Sequence, residues 1–249
     1  MKKVSRITEE EVISEFLKAE FYQVEYDRDR TLFETVVYEP NLSDPEENAL
    51  RRALLFRRRG PMWRELPPDT QWWEIDFKPE EAERVKVFPR AQWRTVARGD
   101  FNAIHVAERM RVLCNVQNPR PFVLKMQALC SLMRHEGPRS TVLLIGMDER
   151  HPVTLLEGNH RFVASLLLPQ ELMLNRIRLV CGFSPAMERC CWYKTSFSSL
   201  ARYLKNRIQY IQNREADVSR WMSLPARSGH GQATPAAISR TATTSIKTE

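Results

Sequence analysis

Leu155-Leu156-Glu157-Gly158-Asn159-His160-Arg161 is the stretch on which the fold turns. Leu155 and Leu156 close a short apolar run that starts at residue 152, and residues 162–168 resume apolar side chains at helical spacing. Between them Gly158 permits a tight turn. A strand that passes through a glycine into a helix leaves backbone N–H groups unpaired at the helix start, where the helix dipole also favours negative charge. Such a turn suits an anion, and phosphate above all. Gly158, Asn159, His160 and Arg161 are therefore the candidate phosphate-binding residues: Arg161 offers a two-pronged contact and His160 further donors. Glu157, just before the turn, is a candidate base or magnesium ligand, and Glu157 and His160 are the candidate catalytic pair.

Reading outward, residues 140–146 form a second apolar run joined to residues 152–156 by the polar Asp148-Glu149-Arg150-His151, the pattern of a β-hairpin. Before it, residues 121–136 place Val123, Met126, Leu129, Cys130 and Met133 on one helical face and end at Gly137-Pro138. After it, residues 176–183 read as a strand. The order helix, strand, turn, strand, glycine turn, helix, strand predicts an α+β (mixed α/β) fold.

That order, together with acid-Gly-X-His-Arg at Glu157, Gly158, His160 and Arg161, resembles the ParB/sulfiredoxin-like superfamily over residues 122–183. The superfamily includes CTP-binding chromosome-partition proteins, ATP-using sulfiredoxins and free-serine kinases. Sulfiredoxins carry a reactive Cys where this chain has Asn159, and partition proteins read Gly-Glu-Arg-Arg, which departs here at Asn159 and His160. The kinase version, Asp-Gly-His-His-Arg, departs only at Asn159, with Glu157 in place of its Asp. The resemblance implies a small sheet with helices that binds ATP or CTP, with magnesium, for phosphoryl transfer or nucleotide hydrolysis. A DNA-binding protein or nuclease gripping a backbone phosphate with the same turn is the alternative, and a non-catalytic nucleotide sensor a third.

Around this core at residues 121–185, the pattern predicts a helical, Trp/Arg-rich segment over residues 1–120, a helical extension over 186–224 and a disordered tail over 225–249. Thr8-Glu9-Glu10-Glu11 is a capping box that opens a first helix, while residues 22–38 satisfy both helix and strand patterns. Ser43-Asp44-Pro45-Glu46-Glu47 opens a second helix that is expected to stop before Gly60. Residues 73–77 alternate as a strand, residues 79–87 and 89–97 predict short helices, and residues 198–212 a long one with Leu200, Tyr203, Leu204, Ile208 and Ile211 on one side.

Arg51, Arg52, Arg57, Arg58, Arg59 and Arg64, near Trp63, Trp72 and Trp73, are the candidate nucleic-acid residues by charge and stacking. The competing reading is a helix whose arginines pair with Glu46, Glu47 and Glu65 and whose tryptophans fill the core. Arg90, Trp93, Arg94 and Arg98 repeat the theme, and Lys194 is a further candidate to reach the phosphate site.

Net charge is +7 over 249 residues, spread along the chain, which permits a polyanion partner without requiring one. The longest apolar runs fall far short of the ~20 residues of a bilayer-spanning helix, and no secretory leader is legible, so a cytoplasmic protein with no membrane partner is expected. Five cysteines without regular spacing predict reduced thiols, and His151, His160, Cys181, Cys190 and Cys191 read as ordinary residues in preference to a zinc set.

Overall fold

The computed structural model describes residues 1–89, 91–135, 139–169, 172, 176–211 and 216–218. Gly137-Pro138, Arg90, and the tail at 225–249 lie outside these residues. The chain forms a mixed α+β fold about one six-stranded sheet in the order β1-β2-β6-β4-β5-β3. The strands are β1 (Lys2–Ile7), β2 (Gln71–Asp76), β3 (Val85–Lys86), β4 (Ser140–Gly146), β5 (Val153–Glu157) and β6 (Ile177–Phe183). β4 lies parallel to β6 and antiparallel to β5, with β3 parallel to β5 and β1 and β2 antiparallel on the far side.

The centre of the sheet is buried on both faces, which is why β4 reads as a continuous apolar run and not an alternating one. Val142 and Leu144 pack on one face, Leu143 and Ile145 on the other. The first face is covered by α4 (Ala91–Ala97), α5 (Ala103–Cys114), α6 (Pro121–Arg134) and α7 (Asn159–Leu166); the second by α1 (Glu9–Glu20), α2 (Asp27–Tyr38) and α3 (Pro45–Trp63). A last helix, α8 (Phe197–Ile211), lies on α3.

Local signals start most elements where the sequence places them. Thr8 accepts from the Glu11 amide at 3.2 Å to open α1, and Asp44 accepts from the Glu46 amide at 2.9 Å to open α3. The expected hairpin forms, its turn held by Asp148 accepting from the amides of Arg150 and His151. The ambiguous residues 22–38 resolve into a 3-10 turn and α2.

Four differences have physical reasons. The α3 helix runs through Gly60 and Pro61 to Trp63, because Met62 and Trp63 bury on the second face and packing outweighs the break. Residues 79–87 make a 3-10 turn and then β3, not a helix, since Val85 and Val87 enter the core while Lys86 between them does not. β1 is an edge strand of mostly exposed side chains, with no apolar alternation to betray it before β2 pairs with it. α5 lies where the sequence expectation places no element, although its signal is local: Asn102 caps it, and Ala103, Val106, Ala107 and Met110 form its buried stripe. Residues 1–120, expected as a helical segment, thus supply β1, β2 and β3 to the same sheet as β4 to β6.

Candidate functional site

β5 ends at Glu157 and α7 begins at Asn159, with Gly158 between them at φ 88°. That left-handed angle favours glycine, and space makes a second demand. A Cβ on Gly158 would stand 3.0 Å from Val142 Cγ2 and 3.3 Å from its Cα. The glycine therefore lets α7 start hard against β4, and no side chain caps its first turn.

Helical geometry then sends Asn159, His160 and Arg161 in different directions. Asn159 is buried, its Oδ1 accepting from the Phe88 amide at 3.0 Å, which ties the chain after β3 to α7. His160 packs between Trp93 and Phe122, ring centroids 5.1 and 5.4 Å away. Of the three, Arg161 turns back along the strand and ion-pairs with Glu157. An arginine in the first turn of a helix opposes the dipole, and the paired Glu157 carboxylate offsets this.

Tyr22, in the turn after α1, is within electrostatic reach of both groups and of Glu20 and Arg58. Partial burial, then Glu20 and Glu157, push its hydroxyl above the ordinary tyrosine value. Arg58 of α3, which ion-pairs with Glu20 and Glu25, also acts electrostatically on Tyr22. Sequence spacing held no sign of this, because 139 positions separate Tyr22 from Arg161, and only the tertiary fold, in which α1 packs against β4, brings the two within reach.

The other α3 arginines are tied within the fold. Arg51 is buried, donating to Glu47, Asn48 and the carbonyls of Val36 and Asn41, so a nucleic-acid phosphate does not reach it. Arg52 pairs with Glu9, Arg57 with Asp29 and Arg59 with Glu20, while Arg64, just past the end of α3, lies over the Phe56 ring. Of the expected partners only Glu47 is used in these pairs. Trp63 and Trp72 stack on each other in the core, ring centroids 5.8 Å apart. Lys194 bonds Glu188 at 3.1 Å.

The first face also carries a cleft of about 760 Å³ between α4, α5 and α6, bordered by Arg98, Arg109, Arg120 and Phe122. Arg98 and Asn118 on its rim both hold positive φ, at 49° and 54°. Phe122, which lines the cleft, packs on His160. All five cysteines are free thiols, and no group of three or more His, Cys, Asp or Glu among the described residues is arranged to hold a metal.

No helix among the described residues is long and apolar enough to cross a membrane. Compared with protein-family models, curated proteins and solved structures, the chain matches none.

Proposed function

We propose that the turn at Glu157-Gly158-Asn159-His160-Arg161 holds the phosphates of a nucleotide such as ATP or CTP, and that the protein transfers or hydrolyses a phosphoryl group there. The observation that carries this reading is the Glu157–Arg161 ion pair at the uncapped start of α7. A carboxylate already sits against an arginine and a helix N-terminus, which is the electrostatic environment a phosphate seeks.

An incoming phosphate competes with Glu157 for Arg161. As Arg161 turns to the phosphate, the released carboxylate is left beside the bound group, free to accept a proton from an acceptor hydroxyl or water. Asn159 and His160 position the turn, through Phe88 and through Trp93 and Phe122, and the phosphate contacts come from Arg161 and the first-turn amides. The resemblance to free-serine kinases at Glu157, Gly158, His160 and Arg161 supports the same reading.

The test is a thermal-shift series with ATP, CTP, GTP and oligonucleotides, each with and without magnesium. A nucleotide present at 100 times its dissociation constant adds about 2.7 kcal/mol of stability, which the melt resolves. A shift with oligonucleotides alone would replace this reading with nucleic-acid binding.

A further inference from the structure

The α8 helix lies on the body by the wrong side. At about 100° per residue, Phe197, Leu200, Leu204, Ile208 and Ile211 fall within a stripe about 80° wide. That stripe faces solvent, with exposures from 45% at Leu200 to 90% at Phe197. The side turned to the protein is polar and aromatic: Asn206 donates to Glu65, Tyr203 meets Trp192 edge-on at 5.2 Å, and Ser199 donates to the Lys194 carbonyl at 3.1 Å. A surface helix ordinarily buries its apolar stripe, so an outward one marks a surface built for something else.

Charge identifies the occupant. Lys205 and Arg207, both exposed, flank the stripe on its two sides, where long basic side chains extend from an apolar face to anionic groups. From Arg189 to Ile211 the chain carries Arg189, Lys194, Arg202, Lys205 and Arg207 and no Asp or Glu, though Lys194 is paired with Glu188 just before this stretch. A second copy would set this basic surface against itself. Residues 212–249 carry Arg214, Arg220, Arg227, Arg240 and Lys247 against Glu215, Asp217 and Glu249, and so bring no net negative charge.

We infer that α8 is an interfacial helix that lies flat on an anionic lipid surface, its stripe in the acyl boundary and Lys205 and Arg207 at the headgroups. This geometry needs no spanning segment; the helix lies on the bilayer and does not cross it. Attraction to acidic headgroups adds to apolar burial, so binding depends on lipid charge and on salt.

Flotation of the full chain with phospholipid vesicles tests this. The protein is expected to float with vesicles of phosphatidylcholine and phosphatidylserine, to float poorly with phosphatidylcholine alone, and to be released by high salt. Lys205→Gln with Arg207→Gln should weaken binding by roughly tenfold or more, and Leu204→Gln with Ile208→Gln should abolish it. All four side chains are exposed, so circular dichroism and Tm should match the native chain and exclude unfolding as the cause. Failure to float with anionic vesicles overturns the inference, as does flotation indifferent to Leu204→Gln with Ile208→Gln. So does a native dimer in solution that this apolar pair dissolves, which would make the stripe a self-association surface.

Discussion

Gly158 meets two demands at once, a left-handed angle and a Cβ-free approach to Val142. Gly158→Val should cost about 2–4 kcal/mol from the strained angle and the forced contact, read as a lowered urea midpoint with m unchanged. An unchanged midpoint would mean that α7 can start further from β4 at no cost. Two further substitutions separate binding from chemistry at this turn. Arg161→Ala removes the charged phosphate donor and should weaken nucleotide binding by about 1.5–3 kcal/mol, tenfold or more. Glu157→Gln should leave that affinity intact or improve it, because the competitor for Arg161 loses its charge, while turnover collapses. Calorimetry beside a phosphate-release assay measures both, and parallel loss of binding and turnover in Glu157→Gln would argue that the acid only shapes the turn.

The seat of α8 on α3 is legible in two residues. Gly60 is in close contact with Tyr210: an added Cβ would stand 2.9 Å from the ring. Gly60→Ala gains about 1 kcal/mol of helix propensity within α3 and pushes Tyr210 away. The expected outcome is a Tm held or raised together with faster tryptic cutting at Arg202, Lys205 and Arg207; unchanged cutting would show that α8 is fixed independently of Tyr210. The second residue is Glu65, whose carboxyl burial raises above its ordinary value, partly countered by hydrogen bonds from Asn206 and the Cys191 amide. A carboxyl raised in the folded state favours folding most when protonated, and that contribution fades as pH rises from about 4.3 through the folded value. Glu65→Gln should therefore raise Tm at about pH 8 and leave it unchanged at about pH 4. A drop at the higher pH would mean that the charge itself anchors α8.

In the whole molecule a single sheet carries two apolar layers, and neither layer is closed by neighbouring sequence. β4, β5 and β6 need α1 and α3 on one face, and α4 and α5 on the other, all from the first 120 residues. Arg178 on β6 reaches Glu74 on β2 and Glu11 on α1 at 2.8–2.9 Å, tying the same parts together by charge. Residues 121–185 expressed alone should accordingly show no cooperative thermal transition, whereas the full chain melts in one. A fragment that melts cooperatively would mean that this stretch closes its own core.

Local chemistry determined where elements begin and what kind they are. Thr8, Asp44, the Asp148 turn and Gly158 each solve a hydrogen-bond or dihedral problem within a few residues, so their effects could be read along the chain. The glycine turn with its acid, histidine and arginine was legible for the same reason. Tertiary structure decided the rest, because it depends on which distant groups meet. Polar β1 becomes a strand only beside β2; Arg51 is a buried structural cation only when Val36 and Asn41 turn their carbonyls to it. Asn159 and His160, adjacent to Arg161 in sequence, are drawn inward by Phe88, Trp93 and Phe122. The apolar stripe of α8 was plain from its period, but periodicity records only that such a side exists; the direction it faces was set by Tyr203, Asn206 and Tyr210 finding partners on the body.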